Sequence, residues 1–211
     1  ALPSLCEFVW VLLKVYGLRS ADAAGCDAVI VCDGSGTSAS EAAGWASVVY
    51  DRRAKYRRVL TGAMSGGGTT NIAELMPVLQ SMLWYTQSVG QYAAVAAAPV
   101  KVHVITDSQV TATAGRKRGS RKANLGPLWA ALNKVCGSKY CLIWHWLGRS
   151  KLDLNRLADY LAGVGRRALA ELATAAAVRL CLPTTSGGRS LLDFNPVEDL
   201  PEDDLPPGAH I

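Results

Sequence analysis

At 211 residues, half of them hydrophobic, the chain can bury one sizeable core and still carry extensions. Its formal charge of +5 hides an asymmetry: no Lys or Arg follows Arg189, whereas Asp193, Glu198, Asp199, Glu202, Asp203 and Asp204 do, leaving 22 basic against 11 acidic residues before that point. Six cysteines with no CxxC pair exclude a disulfide framework and argue against a zinc site, and a strongly basic body suggests a polyanionic partner, most simply nucleic acid.

Residues 1–24 read as an amino-terminal extension. Phe8, Val11, Leu12 and Val15 recur at a helical period, and the apolar run 8–13 is broken by Lys14, too short for a membrane span. No clear signal-cleavage site follows, so an intracellular, reducing setting is expected. The start at Ala1 rather than Met suggests processing or excision from a longer protein.

Five apolar residues at 28–32 predict a central strand buried on both faces, ending at Asp33. Asp33-Gly34 alone would be read as a turn. Segments 44–50 and 56–64 predict two further strands joined by short polar turns, an antiparallel meander whose Arg52, Arg53, Lys55, Arg57 and Arg58 read as a solvated face. After a glycine-rich loop, Ile72, Leu75, Met76, Leu79, Met82 and Leu83 share one helical face, with Pro77 expected to cause a local irregularity. Asn71 and Glu74 match a capping box, which alone would explain Glu74.

Residues 100–106 predict a fourth strand that again ends in an aspartate, Asp107, before a short helix to about Ala114. His103, within the strand body, reads as a packed or edge residue. The loop 115–125 carries Arg116, Lys117, Arg118, Arg121 and Lys122, a candidate phosphate-contacting surface. A helix starts near Pro127, a fifth strand covers 140–147, and Asp153 caps a last helix with Leu154, Leu157, Ala158 and Leu161 inward. Asp159 lies beside that stripe, where it could equally be a surface acid near Arg156. Residues 181–211 read as an acidic, proline-rich tail, disordered or loosely docked.

Four carboxylates thus fall at strand ends or helix starts: Asp33, Glu74, Asp107 and Asp159. Gathered in one place they would need cations, and hard oxygen ligands of this kind suit Mg2+ or Mn2+.

The residues around them resemble the ribonuclease H type 1 family. Asp33-Gly34-Ser35-Gly36 with Gly44-Trp45-Ala46 is similar to its first motif, and Thr69-Thr70-Asn71-Ile72-Ala73-Glu74-Leu75 to its second. Thr106-Asp107-Ser108-Gln109-Val110 resembles the third. Trp144-His145-Trp146-Leu147-Gly148-Arg149, through Asn155-Arg156-Leu157-Ala158-Asp159, resembles the fourth. The similarity covers residues 25–180, in order and at fitting distances.

The resemblance implies an α/β ribonuclease H-like fold, a five-stranded mixed sheet in the order 3-2-1-4-5 flanked by helices. It implies a metal-dependent endonuclease that hydrolyses the RNA strand of RNA–DNA hybrids with two Mg2+ ions (or Mn2+) and leaves 5′-phosphate and 3′-hydroxyl ends. Asp33 would bridge both metals, Asp159 would hold the one that activates water, and Glu74 with Asp107 the one at the leaving oxygen. Gly34, Ser35, Thr70, Asn71 and Ser108 would contact the hybrid, with Arg149, Trp129, Arg116, Lys117 and Arg118 as further substrate contacts. Arg149 stands where many relatives carry a histidine that assists product release, and an arginine is a poor proton shuttle. His145, four residues earlier, is not its replacement. The expected partner is the hybrid, with no membrane and no small-molecule cofactor, the chain being monomeric or part of a larger retroelement polyprotein. Two other readings remain: a nucleic-acid-binding module with little catalysis, and a DNA-directed nuclease of the same fold.

Overall fold

The computed structural model describes residues 26–37, 42–51, 56–65, 69–88, 96, 98–117, 125–148 and 153–180. The expected extension at 1–24, the tail at 181–211, Arg118 and Arg149 lie outside the described residues.

Elements follow in the predicted order: β1 (Ala28–Ser35), β2 (Ala43–Asp51), β3 (Tyr56–Met64), α1 (Thr70–Ser88), β4 (Val100–Thr106), α2 (Gln109–Arg116), α3 (Gly126–Cys136), β5 (Tyr140–Trp146) and α4 (Asp153–Leu180). One mixed sheet runs β3-β2-β1-β4-β5, as the resemblance implies. β1, β2 and β3 pair antiparallel, whereas β1, β4 and β5 run parallel.

The unbroken apolar run of β1 has a direct cause, since both its faces are covered. Ala28, Ile30 and Cys32 pack with Leu75, Val78 and Met82 of α1 and Trp129 and Leu132 of α3. Val29 and Val31 pack on the opposite face with Leu157, Leu161 and Ala162 of α4. Each Val, Leu, Ile or Met side chain among them contributes about 1.5–3 kcal/mol by leaving water.

Two expectations about β1 and α1 are corrected. β1 does not stop at Asp33. Its antiparallel ladder with β2 continues through Asp33↔Ala46, Gly34↔Trp45 and Ser35↔Gly44, so Asp33-Gly34 is strand rather than turn. The parallel ladder with β4 ends earlier, at Cys32↔Thr106. The sheet therefore splits between β1 and β4, and Asp33 and Asp107 are the first residues beyond the split. α1, in turn, begins at Thr70, and the Ile72 and Ala73 amides both donate to Thr69 O at 2.9 Å. Asn71 is then inside the helix and cannot cap it with Glu74.

α1 also passes through Pro77 without interruption. Its buried face is rotated from the apolar stripe: Val78 and Tyr85 are buried, while Ile72, Met76 and Leu83 are only partly so. Polar residues account for the difference. Ser81 is fully buried because its hydroxyl meets that of Ser47 at 2.6 Å, and Tyr85 donates to buried Asp51, which is the end of β2 rather than a turn residue.

α2 runs past the expected end at Ala114 to Arg116. Gly115 lets α2 lie against the Trp144 ring, since a Cβ there would come within 2.2 Å of the indole. No helix among the described residues is long and apolar enough to cross a membrane.

Candidate active site

The split between β1 and β4 delivers Asp33 and Asp107 side by side, and α1 brings Glu74 over them. Glu74 gets there through Gly34. A Cβ on Gly34 would lie 2.2 Å from the carbonyl carbon of Ala73 and 2.5 Å from the Glu74 amide nitrogen, so only glycine lets α1 approach β1 this closely. Asp33, Glu74 and Asp107 each place a carboxylate oxygen within 4.8 Å of the others. Asp33 and Glu74 are buried, at 4% and 5% exposure, and Asp107 is half-buried.

Both Asp33 oxygens accept hydrogen bonds. Oδ1 takes the Gly34 amide at 2.7 Å, and Oδ2 takes Asn155 Nδ2 from α4 at 3.1 Å. The carboxylate plane is thereby fixed. Cys32, behind it, reports the local field: burial raises its thiol well above the ordinary 9.0, and the charges of Glu74, Asp33 and Asp107 raise it further. Crowding three like charges is costly unless cations offset them. An all-carboxylate set, partly open to solvent at Asp107, fits a hard divalent cation such as Mg2+ or Mn2+.

Asp159 is not in this group. It is exposed on α4, one helical turn beyond Asn155. The side chain that α4 inserts is Asn155, which the sequence reading left without a role. Its signal was the spacing: a polar residue four positions before Asp159 shares that helix face.

Among the expected substrate contacts, Gly34, Ser35 and Asn71 are half-exposed around the β1–α1 junction. Thr70 is exposed, and its hydroxyl donates to Gly36 O at 2.8 Å, tying the end of β1 to the start of α1. Ser108 is the N-cap of α2: its hydroxyl accepts from the Thr111 amide at 3.3 Å. Arg116 and Lys117 are exposed, but at the end of α2 rather than in a loop. Trp129 is a core residue, 5% exposed and tilted against Trp144 with ring centroids 5.5 Å apart, so it has little surface left for a substrate. His103 is buried, and its Nδ1 lies 2.9 Å from Nε2 of His145, the two rings stacked across β4 and β5.

No model of a known protein family matches the chain, and no curated protein matches it. Solved structures do. The chain is similar to the N-terminal RNase H domain of rv2228c from Mycobacterium tuberculosis, with a TM-score of 0.55 at 20% identity over 69% of this chain and 97% of that one. It is similar to LC11-RNase H1 in complex with an RNA/DNA hybrid, with a TM-score of 0.55 at 17% identity over 67% of this chain and 98% of that one. Identities this low carry the architecture, and the chain has the ribonuclease H fold.

Proposed function

We propose that this protein is a nuclease that hydrolyses the RNA strand of RNA–DNA hybrids, leaving 5′-phosphate and 3′-hydroxyl ends. The observation that carries the proposal is the convergence of Asp33, Glu74 and Asp107 where the sheet splits. The ribonuclease H fold supports it, as does the structural neighbour that holds an RNA/DNA hybrid.

In this reading Asp33, Glu74, Asp107 and Asp159 hold two Mg2+ ions, with Mn2+ as a substitute. When bound, such ions lower the pKa of water and offset charge on the leaving oxygen. Asp33 serves from a carboxylate already oriented by the Gly34 amide and Asn155. Asp159 would join from α4, where its side chain is exposed to solvent. Gly34, Ser35 and Asn71, all half-exposed, line the approach beside α1, where the Ser35 hydroxyl and the Asn71 side chain can meet 2′-hydroxyls of one strand. The basic body contributes sequence-independent attraction to phosphates.

The test is cleavage of an end-labelled RNA–DNA hybrid with Mg2+ or Mn2+, beside single-stranded RNA and duplex DNA. Cleavage confined to the RNA strand of the hybrid, abolished in Asp33→Asn, is the expected result. Equal cutting of duplex DNA, or cleavage unchanged in Asp33→Asn, would overturn it. Hybrid binding without cleavage would make the chain a binding module.

A further inference from the structure

Trp129 was the aromatic expected at the substrate, and it is buried; the aromatic that does face solvent beside the carboxylates is Trp146. It ends β5, paired with Thr106, and is 47% exposed. Its Nε1 donates to the carbonyl of Asp107 at 3.0 Å, so the indole is pinned to the residue that supplies one of the three converging carboxylates. The strand behind it is held too, since the Leu147 amide donates to Thr106 O at 3.0 Å. Val110, in the first turn of α2 and 43% exposed, is the other large apolar side chain left to solvent among the described residues.

A cation sits next along the same edge. Arg116 Nε donates to the carbonyl of Trp144 at 3.2 Å. Trp144 is two residues before Trp146, about 7 Å at strand rise. The bond fixes the guanidinium at β5 and leaves the other donors of its fork for a further acceptor. Lys117 follows, also exposed. A fixed aromatic face with a cation about one nucleotide away is the combination that tracks a nucleic-acid strand.

We infer that Trp146 and Arg116 form the contact surface for one strand of the hybrid next to the carboxylate centre. The Trp146 ring packs on a nucleotide, and Arg116 takes a neighbouring phosphate. This rests on the proposed hybrid substrate. It adds that the contact is blind to sequence. The indole N–H is already committed to Asp107, so only the ring face remains, and every nucleotide offers something flat or apolar to it.

The experiment measures binding of a fluorescein-labelled RNA–DNA hybrid to the full chain in EDTA, by anisotropy, so that no cleavage is needed. Trp146→Ala is expected to weaken binding about tenfold on hybrids of two unrelated sequences, and Trp146→Phe only about two- to threefold. Arg116→Ala is expected to weaken both hybrids alike and to reduce the salt dependence by about one counterion. In the wild type the hybrid should quench tryptophan emission, a change absent from Trp146→Phe; this readout serves if Trp146→Ala does not fold. Hybrid affinity equal to wild type in Trp146→Ala, or identical quenching in Trp146→Phe, would overturn the inference. Hybrid cleaved with those results leaves the proposed function standing and removes only this surface. Hybrid bound through Trp146 but never cleaved does the reverse, and no binding by the wild type removes both.

Discussion

Asn155 on α4 donates from Nδ2 to Oδ2 of Asp33 on β1 at 3.1 Å. Asp33 is acceptor-only when ionised, which fixes the amide orientation and turns Asn155 Oδ1 toward other neighbours. That oxygen is buried and accepts no hydrogen bond among the described residues. Asn155 is therefore a positioning residue for Asp33 and a second, neutral acceptor near the same carboxylates. Asn155→Ala should lower Mg2+ affinity and activity by about 10- to 100-fold, as loss of a partner behind a ligand commonly does. Global stability should fall by only about 1 kcal/mol, because the change also removes a buried acceptor. Calorimetric Mg2+ titration with a urea melt separates the two effects. Unaltered Mg2+ affinity would show that Asn155 only fills space.

Gly34 sets the distance between β1 and α1. Gly34→Ala places a methyl carbon 2.2–2.5 Å from the main chain of Ala73 and Glu74, and main chain cannot rotate away as a side chain does. α1 must shift, at a cost of about 1–3 kcal/mol. Because the shift carries Glu74 with it, cleavage should drop by more than stability predicts. A variant as active per folded molecule as the wild type would show that Glu74 is not needed at its present distance.

Alkaline pH should unfold the protein through groups kept neutral in the fold. Burial pushes the Cys136 thiol from 9.0 up to about 12, and neighbouring Cys141 adds to the rise. Burial, and then the bond to Asp51, raise the Tyr85 hydroxyl above its ordinary 10.0. Above pH 9 the unfolded chain loses these protons while the native chain keeps them. The unfolded state then binds fewer protons, and stability falls as pH rises. It should fall progressively from about pH 9 toward pH 12, Cys32 and Cys136 contributing from about 9 and Tyr85 from about 10. Urea midpoints from pH 7 to 11 give the curve. Cys136→Ala should make its first part shallower, leaving the share of Cys32, and Tyr85→Phe its later part.

What the sequence made legible follows the strength of local pattern. β4 falls within the predicted bounds because it is a run rich in β-branched residues, and β3 because polar and glycine-rich turn signals bound it on both sides. Sheet order was legible only through the resemblance, since nothing local to β1 says which strand lies on either side. The same limit hid the extent of β1. Residues 33–35 pair with β2 alone, and a ladder made on one side leaves no periodicity to read. The burial of Trp129 was hidden for a similar reason: residues 128–132 of α3 are all apolar by type, so the helical period does not tell which of them turn inward. Six of the seven residues of β5 are apolar by type, so alternation does not tell which face meets α3 and which end meets water. Asn155 carries no charge to mark it as a partner of carboxylates, yet the group that α4 sends to Asp33 is its amide.

Asp33, Glu74 and Asp107 repel one another at separations within 4.8 Å, so the metal-free fold carries a destabilising term that a cation removes. Mg2+ at 100 times its dissociation constant should stabilise the wild type by about 2.7 kcal/mol. Asp107→Asn removes one charge at the half-buried position, where an amide keeps contact with water. It should melt about 2–4 °C above the wild type without metal, for a gain of about 1 kcal/mol. It should also gain far less from Mg2+, so the two melting curves cross as Mg2+ is added. Curves that stay parallel, with the same Mg2+ response in both proteins, would place the bound cation away from Asp107 and break the assignment of the three carboxylates to one centre.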